Sequence, residues 1–277
     1  MPRHPAVAGS FYPAEKAELS RMLAALFKQV RFGGQSPGFA NAKAFVAPHA
    51  GYEYSGYVAA YTYAALQQLS ERTRIDAFVI IGPDHVGAGD FVTVSLEDWE
   101  TPLGIARNDK ELSREIANIG KFSTGEDAIA EEHSIEVQVP FLQYLFPDAA
   151  CSFICMSDQS ISASKQVSSA VLSASQKQGK SVVVIASSDF DHYEPASVAE
   201  SKDMPAIRAA EALDYNLFNR LLAEADDTAC GYGAITSAML FAKAKGATRG
   251  VLLKYGNSGN ATGDFSSVVA YASLAFV

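Results

Sequence analysis

The chain has 277 residues, of which 48% are hydrophobic and 19% are charged, so it can bury a large core and lacks the composition of a disordered protein. Its net charge of −9 opposes binding to a nucleic-acid backbone, because that binding depends on clustered Lys and Arg. No stretch approaches the roughly 18 apolar residues that span a bilayer, and the first residues lack the apolar run of a signal peptide. We therefore expect a globular, cytoplasmic protein that binds neither nucleic acid nor membrane.

Strands and helices are predicted to alternate along the chain. Continuous Val-, Ile- and Phe-rich runs, typical of strands buried on both faces of a sheet, lie at residues 43–48, 75–83, 151–156 and 181–188. Helical apolar spacing predicts helices at Ser55–Leu69, Asp109–Ile119, Glu131–Phe146, Ser162–Lys177, Met204–Ala223 and Gly231–Lys245. Ser55 is expected to be the N-cap of the first helix, and Pro140 is expected to bend or divide the third.

Two further segments complete the predicted sheet. Phe91–Ala106 alternates partly and carries turn residues, which indicates a hairpin-like excursion. Near the end of the sequence, two strands surround a Gly- and Asn-rich loop at Gly256–Gly263, and this loop is expected to line a pocket. Without repeats, linkers or charge blocks, residues 1–277 are interpreted as a single α/β domain, with a mixed, largely parallel sheet covered by helices on both faces.

Three of the five histidines directly follow predicted strands. They are His49, in APHAGYEYSG, His85, in GPDHVG, and His192, in SSDFDHYEP. A single histidine in such a loop usually caps a turn or faces solvent, but ligands of open α/β sheets bind beyond the carboxyl ends of the strands. Three histidines at three strand ends therefore predict a shared polar pocket.

Two other positions beside these histidines are candidates for the pocket. His133, with Glu131, Glu132 and Glu136 around it, is predicted to lie in the first turn of a helix, where it either faces the pocket or caps the helix. Tyr54, in the segment after His49, either lines the pocket or packs against the core. His4 lies in the N-terminal tail and is not assigned a site.

Imidazoles from separate loops, joined by a thiolate or carboxylate, are the usual ligands of Zn, Fe and Cu, so a transition metal fits this pocket best. Asp189 and Asp191 closely precede His192, and a neighbouring carboxylate can fix the tautomer of a histidine and raise its basicity. His192 is therefore a candidate general base. GxSxG, P-loop, HExxH and GxGxxG motifs are absent.

The three cysteines cannot all pair with one another and form no CxxC, so a disulfide framework is not expected. Cys151 and Cys155 lie in an apolar run and are interpreted as buried small hydrophobes. Cys230 precedes a helical run, where the helix dipole favours the thiolate. It is a metal ligand, a nucleophile or an inert residue at a helix start, and spacing does not separate these.

Five segments together resemble the Memo family, whose bacterial and archaeal members are often labelled the B component of the AmmeMemoRadiSam system. Any one segment is a weak signal, but the ordered set spans nearly the whole chain. The segments are AVAGSFYP at 6–13, APHAGYEYSG at 47–56, GPDHVG at 82–87, EEHSIEVQVPFLQ at 131–143, and SSDFDHYEP at 187–195 with CGYGA at 230–234.

The resemblance implies a fold similar to class III (LigB-type) extradiol dioxygenases, which use non-haem Fe(II). Matching motif to motif, it makes His49 and His85 metal ligands and His192 the acid or base of the pocket. Cys230 falls where those dioxygenases have a carboxylate ligand, and a softer thiolate favours Cu or Zn over Fe(II). The resemblance and this departure together leave one transition metal as the expected cofactor, Fe(II) or Cu, with Zn as an alternative. Other proteins of the AmmeMemoRadiSam gene set are the implied partners.

Three functions follow as hypotheses. The first is a metal-dependent redox enzyme acting on a small organic substrate, with Asp189 and His192 in catalysis and Tyr54, His133 and Asp191 in the substrate pocket. The second is a binding module that uses the same pocket for a peptide or modified side chain without catalysis. The third is a metal-free thiol enzyme with Cys230 as nucleophile.

Overall fold

The computed structural model describes residues 1–32 and 39–277. The strands of these residues are β1 Ala44–Ala47, β2 Ala77–Pro83, β3 Val92–Val94, β4 Trp99–Thr101, β5 Gly104–Asn108, β6 Ala150–Met156, β7 Val182–Ser187, β8 His192–Glu194, β9 Gly250–Asn257 and β10 Val268–Phe276. The helices are α1 Lys16–Gln29, α2 Tyr52–Ser70, α3 Lys110–Gly120, α4 Val139–Leu145, α5 Ile161–Lys177, α6 Ala196–Glu211, α7 Tyr215–Ala225, α8 Tyr232–Ala244 and α9 Gly259–Thr262. The four buried strands, the hairpin and the two strands after residue 249 are confirmed.

One sheet contains all ten of these strands, in the order β4-β5-β6-β2-β7-β1-β10-β8, with β3 on β6 and β9 on β10. The pairs from β5 to β1 are parallel, whereas β10 is antiparallel to β1, β8 and β9. The predicted mixed, largely parallel sheet is therefore confirmed. β7 lies between β2 and β1, so the three strands that precede His85, His192 and His49 are direct neighbours.

Hydrophobic cores cover both faces of the sheet. In β1, Ala44 and Val46 contribute to one core, while Phe45 and Ala47 contribute to the other, as the alternation of side chains along a strand requires. Helices α3, α5, α6, α7 and α8 pack on the first face, and α1, α2 and α4 pack on the second. These two layers hold the strand ends rigidly at the carboxyl edge of the sheet.

Some predicted helix bounds are wrong. The predicted Glu131–Phe146 helix begins instead with a loop at residues 131–135, followed by a 3₁₀ turn at Glu136–Gln138 and by α4. Pro140 lies in the first turn of α4, where its missing N–H has no helical partner to lose. The chain from Met204 to Ala223 forms two helices, because Leu213 has a positive φ of 54° and ends the helical path.

Two helices on the second face of the sheet, α2 and α1, also differ from the sequence prediction. Helix α2 begins at Tyr52 with Gly51 as its N-cap, so Ser55 lies inside the helix and its hydroxyl donates to the Ala50 carbonyl. Helix α1 was not predicted.

Among the described residues, no helix is both long enough and apolar enough to cross a membrane.

Candidate metal centre

The carboxyl ends of β1 and β2 bring His49 and His85 together, and the loop before α4 adds the ring of His133. The ring centroids of His49 and His85 are 5.0 Å apart, and those of His85 and His133 are 4.5 Å apart. His49 and His133 are separated by 5.5 Å. The side-chain nitrogens of the three residues all lie within 4.8 Å of one another, which suits shared coordination of one metal ion. We name these residues the histidine cluster.

A buried carboxylate holds His85. Glu132 accepts hydrogen bonds from the backbone N–H of His85 at 2.6 Å and of Ser134 at 2.7 Å. Its carboxylate also lies 3.0 Å from Nδ1 of His85 and 3.6 Å from Nδ1 of His133. Burial by itself raises the pKa of Glu132, but the hydrogen bonds and charge of His85 lower it to about 2. The carboxylate therefore fixes Nδ1 as the protonated nitrogen and leaves Nε2 of His85 free for a metal.

His49 is held in the same tautomer by a hydroxyl. The Ser187 hydroxyl donates to the Ser134 carbonyl at 2.6 Å, so its oxygen accepts from His49 Nδ1 at 2.9 Å. His49 is buried, and this burial, with the nearby His85 and His133, lowers its pKa well below the ordinary value. Neutral imidazole with a free Nε2 is the form that binds transition metals.

Cys230 lies on the other side of His49. Its sulfur is 3.0 Å from Nε2 of His49 and 3.8 Å from the carbonyl oxygen of Asp189. Desolvation, with the nearby Asp189, raises the pKa of the Cys230 thiol well above its ordinary value, against the expectation from the helix dipole. The sequence placed Cys230 in the ligand set, whereas the histidine cluster of the structure contains His133 instead.

Of the other residues predicted for the site, three lie on the wall of a cavity and one is buried behind that wall. Asp189 accepts a hydrogen bond from the His49 backbone N–H at 2.8 Å, and burial raises its pKa to about 7. Asp189, His192 and Tyr54 all line the cavity. Asp191 is fully buried and is not among the lining residues.

The histidine cluster opens into a cavity of about 520 Å³. Its walls combine aromatic, aliphatic and hydroxyl side chains, and among the described residues that line it there is no Lys or Arg. Ser258 and Thr262 line it, which confirms the expectation for the Gly- and Asn-rich loop. The remaining wall residues include Ser10, Phe11, Tyr193, Ser267, Val268, Val269 and Tyr271.

The segment Arg3–Tyr12, which we name the N-terminal strap, supplies one wall of the cavity. Phe11 from the strap lies 4.8 Å from His133, measured between ring centroids. The buried Glu136 carboxylate accepts from Arg3 Nη1 at 2.7 Å, from the Ala6 N–H at 2.8 Å and from the Tyr12 hydroxyl at 2.5 Å. The fixed strap therefore shapes the mouth of the site.

A second group of potential ligands lies beside the cluster and is already satisfied. Asp84, Glu132 and Cys155 have ligand atoms within 4.8 Å of one another. However, Asp84 accepts from the N–H groups of Gly87 and Gly89, and Glu132 is bonded to His85. These contacts make the group a structural support of the cluster.

Sequence reasoning did not identify Glu132, Glu136 or Phe11 as parts of the site, and it left the role of His133 open. The acidic residues around His133 were a signal, but they fit helix capping equally well. Which carboxylate faces His85 depends on a contact between segments 47 residues apart.

The similarity of this chain to known proteins extends over almost its full length. A family model described as Memo-like protein matches residues 3–275. A MEMO1 family protein of Methanopyrus kandleri is 38% identical over 283 residues, covering 100% of this chain and 99% of that protein. A MEMO1 family protein of Nitrosopumilus maritimus is 40% identical over 282 residues, covering 100% of both chains.

One solved structure, of an uncharacterized protein from Escherichia coli K12, is similar with a TM-score of 0.48 and 12% identity, and the match covers 85% of this chain and 100% of that one. The assignment rests on the family model and on the full-length relatives. The chain belongs to the Memo family.

Proposed function

We propose that this protein is a metal-dependent redox enzyme that acts on a small organic substrate. The observation that carries the proposal is the histidine cluster, in which one ring nitrogen from each residue lies within 4.8 Å of the others, at a cavity of about 520 Å³. Three imidazoles, two of them held from behind by hydrogen bonds, form a donor set that suits Fe, Cu or Zn. Bound Fe(II) or Cu would supply redox chemistry, while Zn would act as a Lewis acid.

The residues of the chain would divide the remaining work. The walls that contain Phe11, Tyr54 and Tyr271 would bind the apolar part of the substrate, in a cavity whose volume is typical of small-molecule sites. His192, which lines the same cavity, would accept or return a proton. The described residues of the wall include no Lys or Arg for a phosphate, which disfavours a phosphopeptide ligand.

Metal content tests this assignment. The parent protein, purified without chelator, is expected to contain about one metal ion per chain, and His49→Ala and His85→Ala are expected to lose it. His133→Ala and Cys230→Ser identify the third ligand: the distances in the histidine cluster support His133, and the motif match supports Cys230. His4→Ala is the matched control, because the His4 side chain is exposed and does not line the cavity. Unchanged stoichiometric metal in the His49 and His85 variants would contradict the site.

Turnover requires a separate measurement. Oxygen consumption across a panel of catechols, with the iron-loaded and copper-loaded protein, tests the likeness to LigB-type dioxygenases. Ring-cleaving activity that disappears in His192→Gln while the metal stays bound is the expected result. Metal binding without oxygen consumption would limit the proposal to other redox substrates.

A second candidate function is thiol catalysis, which the 3.0 Å contact between Cys230 and His49 favours. Such a dyad needs a thiolate, and desolvation opposes its formation by raising the pKa of Cys230. Rapid alkylation of Cys230 in metal-loaded protein would support the thiol enzyme. Slow alkylation that does not change on metal removal would exclude it.

The setting of this enzyme is also a proposal. We propose a cytoplasmic location, because the three cysteines are free thiols, as a reducing compartment keeps them. We propose its functional partners among the proteins of the AmmeMemoRadiSam gene set. Co-purification of the tagged chain with those proteins from its native host tests this second proposal.

A further inference from the structure

The connection between α7 and α8 runs beside the segment that follows β7. The Cys230 N–H donates to the Asp189 carbonyl at 3.3 Å, and the Thr228 N–H donates to Asp191 Oδ1 at 3.1 Å. In the opposite direction, the backbone N–H of His192 donates to the Thr228 hydroxyl oxygen at 2.8 Å. Thr228 is therefore fixed against His192 by backbone contacts on both segments.

The hydrogen bonds of the Thr228 hydroxyl determine its orientation. Its oxygen lies 3.0 Å from Asp191 Oδ1 and 3.4 Å from Nδ1 of His192, in addition to the His192 N–H. A hydroxyl donates one hydrogen bond and accepts two. A carboxylate oxygen can only accept, so the hydroxyl proton points to Asp191 and the two lone pairs accept from the N–H and Nδ1–H of His192.

We propose that Thr228 and Asp191 are positioning residues that hold His192 with Nδ1 protonated and Nε2 free to take a proton. This inference rests on the proposed function, in which His192 is the acid or base of the cavity. A hydroxyl bridge replaces the direct carboxylate contact that usually orients a catalytic histidine. The sequence indicated that an aspartate near His192 could fix its tautomer, and Thr228 is the link that connects them.

The Asp191 end of this bridge is itself fixed. Its side chain is fully buried, and Oδ2 faces Lys202 Nζ at 3.5 Å. Its backbone N–H donates to Asp203 Oδ1 at 3.1 Å. The contacts with Lys202 and with the Thr228 N–H therefore hold the Asp191 carboxylate in place beside the Thr228 hydroxyl.

Long-range ¹H–¹⁵N correlation NMR of the full-length, Zn²⁺-loaded protein reads the tautomer directly. At about pH 8 a histidine ring is neutral, and the signal of His192 is assigned by comparison with His192→Gln. The parent protein is expected to show the Nδ1–H form. Thr228→Val is expected to lose that form, and Thr228→Ser, which keeps the hydroxyl, is expected to restore it. Thr248→Val, an exposed threonine elsewhere, is the matched control.

An Nε2–H tautomer in the parent protein would overturn the proposal even if a variant failed to fold. The same Nδ1–H form in Thr228→Val would also overturn it. Zinc stoichiometry measured on these samples tests the metal site separately. The predicted tautomer in a protein that binds no zinc would support the positioning role and contradict the metal function, whereas the wrong tautomer in a zinc-binding protein would do the reverse.

Discussion

At the scale of single residues, Glu132 determines how firmly His85 is presented to a metal. The substitution Glu132→Gln keeps the size of the side chain but replaces the carboxylate that bonds His85 Nδ1 at 3.0 Å. Removing such an outer partner usually costs about 10–100-fold in metal affinity, and we expect a loss of this size. Zn²⁺ titration followed by calorimetry measures it.

The exposed neighbour Glu131 provides the control for this substitution. Glu131→Gln removes the same charge one residue away without touching His85, so its Zn²⁺ affinity should equal that of the parent protein. Equal affinities for the Glu131 and Glu132 variants would show that His85 needs no carboxylate behind it.

A second residue-scale prediction concerns the buried carboxyl of Asp203. Burial and the neighbouring Asp227 together raise its pKa to about 9. In an unfolded chain the same group titrates at about pH 4, so between about pH 4 and about pH 9 the folded protein keeps a proton that the unfolded chain loses. The free energy of unfolding therefore falls as the pH rises through this range.

Asp203→Asn cannot ionise and should escape this loss. Relative to the parent, the variant is expected to gain unfolding free energy steadily between about pH 5 and about pH 9, at up to about 1.4 kcal/mol per pH unit. Urea unfolding at several pH values measures the difference. Asp148→Asn, an exposed aspartate, should show no such trend. A pH-independent difference between the Asp203 variant and the parent would contradict the raised pKa.

At the scale of elements, the start of α8 is fitted closely against the end of β7. A Cβ atom added at Gly231 would lie 2.2 Å from the Ser187 carbonyl oxygen and 2.7 Å from Cβ of Ser188. Neither backbone can yield easily, so Gly231→Ala should cost about 1–3 kcal/mol of unfolding free energy. It should also move Cys230 away from His49, which a faster reaction of its thiol with an alkylating reagent would detect.

Helix α2 offers the comparison. A Cβ atom added at Gly56 would meet Cδ1 of Leu26 at 2.8 Å, which is the flexible end of a side chain. Because alanine also favours the helix by up to about 1 kcal/mol, Gly56→Ala should stay within about 1 kcal/mol of the parent. If Gly231→Ala and Gly56→Ala lost equal unfolding free energy, the close contact between β7 and α8 would not be the reason that Gly231 excludes a side chain.

The order of most strands and helices could be predicted from the sequence, and each wrong helix prediction can be traced to a particular residue. Continuous apolar runs located β1, β2, β6 and β7, because strands covered on both faces need no polar residues. The helix predicted at Glu131–Phe146 is wrong over its first residues because Glu132 accepts hydrogen bonds from the N–H groups of His85 and Ser134. The contact with His85 is tertiary, so helical spacing does not reveal it. The prediction of one continuous helix at Met204–Ala223 is wrong because apolar spacing does not reveal the positive φ of Leu213.

The candidate site could likewise be predicted only in part. His49, His85 and His192 were located because each follows a strand, and strand order brings them together. The third member of the histidine cluster was not located, since His133 follows no strand and depends on how a loop packs. A single sequence records which residues are present at a strand end, but not which distant loop faces them.

At the scale of the whole molecule, metal binding should stabilise the fold. The ligands of the histidine cluster belong to three segments far apart in sequence, so the unfolded chain offers no preformed site. Metal at about 100 times its dissociation constant should add about 2.7 kcal/mol to the free energy of unfolding. For a protein of this size, that is a rise of about 5–10 °C in Tm.

Differential scanning calorimetry with increasing Zn²⁺ measures this rise. His49→Ala and His85→Ala should show almost none of it, whereas His4→Ala should respond as the parent does. An equal rise in all four proteins would locate the bound metal outside the histidine cluster.

The loop around His133 has a consequence for how the molecule can vary. Within seven residues, Glu132 orients His85, His133 joins the cluster, Glu136 anchors the N-terminal strap, and Gln138 donates to the Pro48 carbonyl at 2.9 Å. Loops usually tolerate changes of length, but one inserted residue here would displace several of these partners at once. We therefore expect natural insertions in this protein to avoid residues 132–138, although that segment is mostly neither helix nor strand.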